Sequence, residues 1–351
     1  MDKAAACVSQ RERLRRSGRL ARFAAVFGPG LVVMLADSDV GSVITAGQSG
    51  VQWGYRLLGL QLVLIPIVYI VQELAVRLGI FTGRGHGELI CAVFGRVWAW
   101  IAVTALAIAT VGALLAGSID IPYTNRDYLY LVAANVGSVV MPWMIFYQQS
   151  AIADKQLGPE HYAIARYDTL AGAVITQLVM AAVLIACAAT IGGGAPLRTV
   201  GDMSAALTPF LGIAMGRLVF GIGVLGAGMV AAIVCSQAFA RGLGEVTGYR
   251  RKLEQHSPPA RWFYGVYALC VVGCATTVAL WPDLVALNIG VQVMNALMLP
   301  VVLGLLIALA MKALPAAHRL RGPYLWLVLV VGSLTAGVGV FGGVAGVGWL
   351  H

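Results

Sequence analysis

The chain has 351 residues, of which 60% are hydrophobic and only 11% charged, with a mean hydropathy of +0.85 and a net charge of +9. A soluble domain of this length needs far more charge to cover its surface, so composition excludes a soluble enzyme or binding module. The Lys and Arg residues lie between apolar blocks, which points to membrane topology and a lipid bilayer as partner, with no nucleic acid.

Residues 1–22 form a basic arm that includes the run RERLRRSGRLAR. The long apolar segment that follows contains acids and no small-residue cleavage site, so the arm reads as retained and cytoplasmic, not as a signal peptide. Residues 23–351 read as one transmembrane domain. Apolar runs of about 20 residues or more, the length needed to cross a bilayer, fall at 23–48, 57–80, 97–119, 128–153, 168–192, 217–240, 262–281, 284–311 and 323–349. They predict an all-α polytopic membrane protein of about nine spans. A short amphipathic piece at 202–214 precedes the sixth.

With the N-terminus cytoplasmic, 20 of the 24 Lys and Arg residues fall on the inside, and only Arg56, Arg126, Arg198 and Arg217 fall outside. That split obeys the positive-inside rule and supports the span count. The expected location is the bacterial inner membrane.

Ionisable groups deep in a span cost about 2.5–3.5 kcal/mol on insertion scales and mark functional sites by default. The first span carries two, Asp37 and Asp39. Residues two apart point to nearly opposite sides of an unbroken helix, so a break is expected here, eased by Gly41, Ser42 and the flanking glycines. Freed carbonyls and a carboxylate would then form a cation site. The alternative is a carboxylate paired to a neighbouring Arg or hydroxyl for structure. In the fourth span Pro142 removes a backbone hydrogen bond, frees a carbonyl near Ser138 and puts Met141 at the break; alone, this would read as a simple kink. The two spans share a fragment, Asp39-Val40-Gly41-Ser42-Val43 and Asn135-Val136-Gly137-Ser138-Val139. Paired interrupted helices are the sequence pointer to a transporter site.

Gln292 and Asn295 are lesser polar candidates in the eighth span. Glu73 and Arg77 are spaced as a structural i,i+4 pair. The six cysteines show no metal-site spacing and read as small hydrophobes. His86 and His318 lie in loops, and no cluster of His, Cys and acids suggests an intramembrane enzyme or a cofactor.

At these residues the chain resembles the NRAMP family of divalent-metal transporters. Gly28-Pro29-Gly30 opens the first span, and Asp39-Val40-Gly41-Ser42 stands where the family has Asp-Pro-Gly-Asn in a broken first helix. Arg77-Leu78-Gly79 with Thr82-Gly83 matches the end of the second helix, Met141-Pro142-Trp143 the Met-Pro-His of a broken sixth helix, and Gln292 a metal-approaching Gln of the tenth. The resemblance implies a leucine-transporter-like inverted-repeat fold with discontinuous helices. It also implies a secondary transporter that moves Mn²⁺ or Fe²⁺ into the cytoplasm by alternating access. Asp39, Ser42, the Ser138 carbonyl, Met141 and Gln292 would hold the metal, with Asp37, Gly41, Pro142, Trp143 and Gln148 around them or along the pathway.

Three departures shape that expectation. Ser42 replaces an Asn and Asp37 adds a carboxylate, which favours harder ions, so a Mg²⁺-type relative is the ion-level alternative. Trp143 and Gln148 replace two histidines tied to proton movement, which argues against proton coupling. The family has eleven helices; its fourth and fifth are missing here between residues 115 and 128. That loss makes a degenerate, non-transporting paralogue the second reading. A sodium-coupled carrier of organic solutes is a third.

Overall fold

A computed structural model describes residues 28–111, 126–191, 196–197, 199–248, 258–280 and 283–347. The predicted basic arm, Cys7 and residues 115–125 of the predicted two-helix gap lie outside them. Each of the nine apolar runs carries a helix over most of its described residues. In chain order these helices are α1 (Pro29–Asp37), α2 (Val40–Trp53), α3 (Leu58–Thr82), α4 (His86–Phe94), α5 (Arg96–Val111), α6 (Arg126–Val139), α7 (Pro142–Asp154), α8 (Tyr162–Thr190), α9 (Thr208–Thr247), α10 (Pro258–Leu280), α11 (Leu284–Lys312) and α12 (Gly322–Val347). Six helical stretches among the described residues are long and apolar enough to cross a membrane, and no strand occurs among them.

Both expected breaks are present, and each has a local cause. The first lies at Ser38–Asp39, not at Gly41 and Ser42, which are already helical. Asp39 takes an extended backbone (φ −75°, ψ 174°) and its side chain accepts the Ser42 amide at 2.7 Å, the N-cap of α2. A capping carboxylate starts a helix three residues before the amide it binds, which moves the break ahead of the glycine. The second break follows from Pro142 at the first position of α7. Proline forces its predecessor out of the helical region, and Met141 accordingly has φ −96° and ψ 140°.

The predicted amphipathic piece at 202–214 is instead a 3₁₀ turn, Val200–Leu207, that runs into α9. Thr199 caps that turn by accepting the Asp202 amide, and α9 kinks at Gly212, where φ is 74°.

The broken helices sit at the centre of the packing. α8 lies against α1, α2 and α3, while α6 lies against α2, α11 and α12. α9 is different. Its first 26 residues are exposed on nearly every face, with Phe210 76% and Leu225 65% accessible, and α10 has α9 as its principal neighbour. Lone apolar residues at a surface need no explanation, but a whole exposed helix in a chain this hydrophobic faces lipid or another helix. The five described cysteines are free thiols.

Candidate metal site

The two breaks meet. The Ser42 hydroxyl donates to the Ser138 carbonyl at 3.2 Å, so the first turn of α2 touches the last turn of α6. α6 and α11 then approach backbone to backbone: a Cβ on Gly137 would sit 1.8 Å from the Gln292 carbonyl oxygen. That contact sets Gln292 beside Gly41, where a Cβ would lie 2.3 Å from Gln292 Nε2. Of the five predicted metal ligands, Asp39, Ser42 and Gln292 thus border Gly41, and Ser138 joins them through the Ser42 hydroxyl.

Met141 is held differently. It is buried, and its sulfur accepts a hydrogen bond from Trp143 Nε1 at 3.2 Å. Gln148 donates to Thr169 Oγ1 at 2.9 Å, tying α7 to α8. Its position six residues past Pro142 puts it more than one helical turn beyond the break.

Asp37 closes α1 with 1% of its surface exposed, and its Oδ1 has no hydrogen-bond partner. Among the described residues, no ion pair reaches Asp37 or Asp39. Above the break, α2 carries a polar stripe. Thr45 Oγ1 donates to the Gly41 carbonyl at 2.9 Å and Ser49 Oγ to the Thr45 carbonyl at 2.7 Å; Asn135 Nδ2 donates to Ser49 Oγ at 2.8 Å. These hydroxyls and amides find partners in one another and in nearby carbonyls, as buried polar groups must.

Three polar residues escaped the sequence reading. Asn288 stands one turn before Gln292 on α11, and its Oδ1 would lie 2.6 Å from a Gly41 Cβ; the i,i+4 spacing to Gln292 was the signal for it. Asp168 on α8 accepts the amides of Gly28 at 3.2 Å, Gly30 at 2.8 Å and Leu31 at 3.3 Å, capping α1 from a distant helix. Glu245, near the end of α9, accepts the Gly87 amide at 2.9 Å and the Ser150 hydroxyl at 2.7 Å. Local sequence carries little sign of either contact, because each joins residues far apart in the chain. The predicted Glu73–Arg77 pair is present at 2.8 Å, and Tyr324 also donates to Glu73 at 2.8 Å.

Among the described residues, no three His, Cys, Asp or Glu side chains converge as a metal cluster. A cation at this site would depend on Asp39 together with amides, hydroxyls and a carbonyl. A helical membrane protein with two interrupted helices meeting at carboxylates that have no cationic partner is the architecture of ion-coupled and ion-carrying membrane proteins. The sequence profile described as natural resistance-associated macrophage protein-like (Nramp) matches residues 30–121 and 111–344, and the chain belongs to that family.

It is 27% identical, over 292 aligned positions, to the divalent metal cation transporter MntH of Chromohalobacter salexigens, covering 60% of this chain and 68% of the relative. The MntH of Agrobacterium fabrum is 24% identical over 300 positions, covering 62% and 65%. The chain thus spans about two thirds of the length of these relatives. The alignment with the first relative runs over 292 positions while drawing on only 60% of this 351-residue chain, so part of the relative's matched length has no counterpart here. The two profile matches overlap at 111–121, reaching into the stretch 115–128 where the family's fourth and fifth helices are expected to be missing. The manganese transporter of Eremococcus coleocola has the same fold, with a TM-score of 0.67 at 15% identity, covering 93% of this chain and 87% of that one. The expected all-helical membrane fold with discontinuous helices is the fold of this integral membrane protein.

Proposed function

We propose that this protein carries divalent metal cations across the membrane by alternating access, with the cation held beside Asp39 where the two broken helices meet. One observation carries this reading: two carboxylates lie at the break with no cationic partner, and one oxygen of Asp37 is buried with no partner at all. An unpaired buried carboxylate is costly unless a cation or proton arrives to neutralise it. The names of the relatives support a divalent metal as cargo. The charge asymmetry of the loops favours a cytoplasmic N-terminus, the bacterial sources of the relatives favour an inner-membrane location, and inward transport follows the family resemblance. No resident cofactor and no enzymatic step enters this reading, and the replacement of two histidines by Trp143 and Gln148 favours transport without proton coupling.

The test is Mn²⁺ influx into liposomes containing the full chain, read by an enclosed fluorescent indicator. Saturable influx that Asp39→Ala abolishes is the expected result; influx unchanged by that substitution would remove Asp39 from the pathway. The second reading, a chain that binds metal without moving it, draws on the positions missing relative to the longer relatives. Mn²⁺ binding in calorimetry with no influx would select it.

A further inference from the structure

Soft and hard donors are presented in different ways at the break. Three polar atoms converge on the face of Gly41: a Cβ there would lie 2.3 Å from Gln292 Nε2, 2.6 Å from Asn288 Oδ1 and 3.1 Å from Asp39 Oδ1. Asn288 and Gln292 are four residues apart on α11, so their amides project from one face. Only a glycine at position 41 leaves room for this convergence. An amide can turn either its oxygen or its nitrogen toward a ligand, so both α11 side chains can offer oxygen to a cation already attracted by Asp39.

Met141, the soft donor among the predicted ligands, is engaged elsewhere. Trp143 Nε1 donates to the Met141 sulfur at 3.2 Å, and the two side chains are only 6% and 2% exposed. An indole N–H is a donor with no alternative role, and when buried it holds the partner it has. A metal that claims the sulfur must therefore displace the indole and leave its N–H unpaired. Oxygen donors favour hard cations such as Mg²⁺ and Mn²⁺, while thioethers favour soft ones.

We propose that Asn288 is a cation ligand beside Asp39 and Gln292, and that Trp143 withholds the Met141 sulfur, so that the site selects hard divalent cations over thiophilic ones. This rests on the reading of Asp39 as the centre of the cation site. Trp143 is a specificity-determining residue: it acts through Met141, and its removal exposes a donor instead of deleting one.

The experiment is equilibrium displacement of bound Mn²⁺ by Cd²⁺ and by Mg²⁺ on the purified full chain in detergent. It compares wild type with Met141→Leu, Trp143→Phe, Asn288→Ala, Asn288→Asp and the Trp143→Phe/Met141→Leu double variant. Trp143→Phe should lower the Cd²⁺ midpoint at least tenfold and leave the Mg²⁺ midpoint within twofold. The double variant should lose that gain. Asn288→Ala should weaken Mn²⁺ binding about tenfold, and Asn288→Asp should restore it. Met141→Leu alone should not change the Cd²⁺ midpoint, a readout that needs no change at Trp143.

A Cd²⁺ midpoint that rises on Met141→Leu in the presence of Trp143 would overturn the withheld sulfur. Unchanged Mn²⁺ affinity in Asn288→Ala would overturn the added ligand. Wild-type protein that binds no Mn²⁺ would instead overturn the metal-site reading on which both depend.

Discussion

Ser42 Oγ donates to the carbonyl of Ser138 at 3.2 Å, and these are the matching serines of the fragment that the two broken spans share. One hydroxyl thus bridges the start of α2 and the end of α6, and the Ser138 carbonyl is in a last helical turn, where it has no intrahelical partner to fall back on. Ser42→Ala should lower stability by about 1–3 kcal/mol, the cost of leaving a buried acceptor unsatisfied, while Ser42→Thr should retain most of it. Thermal melting of both variants in one detergent checks this; equal losses would mean that the bridge contributes nothing.

Asp39 has two separable roles. It caps α2 by accepting the Ser42 amide at 2.7 Å, and it carries the charge a cation would need. Asparagine caps a helix about as well as aspartate, whereas alanine costs about 0.5–2 kcal/mol. Asp39→Asn should therefore melt close to wild type and lose Mn²⁺ affinity at least a hundredfold. Asp39→Ala should lose both. If Asn at this position retains binding, the carboxylate charge is not what holds the metal.

How much of this was visible beforehand depends on how far apart the contacting residues are. The spans, both breaks and the gathering of Asp39, Ser42, Ser138 and Gln292 follow from hydropathy, proline chemistry and family resemblance, all of which can be read along the chain. The exact position of the first break was not, because it is set by which carboxylate caps α2, and Asp37 and Asp39 are equally good caps by type. Asp168 and Glu245 were missed because their partners lie 138 and 158 residues away, at Gly30 and Gly87. The Trp143–Met141 bond was missed for another reason: the pair sits two residues apart across a proline, where no helical spacing rule applies.

Two glycines at the site should respond differently to the same substitution. On Gly137 a Cβ would meet the backbone oxygen of Gln292 at 1.8 Å, and α6 or α11 must move to admit it. On Gly41 a Cβ would meet the side-chain end of Gln292 at 2.3 Å, which can swing away. Gly137→Ala should cost at least about 1–3 kcal/mol as an overpacking change and lower the yield of folded protein. Gly41→Ala should fold and bind Mn²⁺ more weakly. Size-exclusion profiles and Mn²⁺ titrations of the two variants distinguish them, and a well-folded Gly137→Ala would mean that α6 and α11 are not in backbone contact.

His86 begins α4, outside the spans, with its Nδ1 2.7 Å from Gln149 Oε1. Burial pushes its pKa down to about 4, and the Gln149 bond only partly offsets this. An unfolded histidine titrates near 6.5, so between those values the unfolded chain binds a proton that the folded one does not. The contribution is complete above about pH 6.5 and is lost as pH falls toward 4. Melting temperature should therefore drop over that interval, and His86→Gln should flatten the drop. Parallel curves for wild type and variant would assign the acid sensitivity to other groups.

Asp168 is what secures the short first half of the broken span. α1 has nine residues, too few to be stable alone, and its N-terminal amides have no partners within the helix. Asp168 supplies acceptors for three of them, and Thr176 Oγ1 donates to the Met34 carbonyl at 2.6 Å further along. Hydrogen bonds to a charged acceptor are worth about 1.5–3 kcal/mol each, which exceeds what so short a helix gains from its own backbone. Asp168→Ala should release α1 before the rest of the molecule opens. Hydrogen exchange read by mass spectrometry should then quicken in peptides covering Pro29–Asp37 and stay unchanged in Leu284–Lys312. Because α1 carries Asp37 and leads directly into Asp39, the same variant should weaken Mn²⁺ binding without touching a ligand. Unchanged exchange in α1 would mean that packing against α8, rather than the carboxylate cap, keeps it in place.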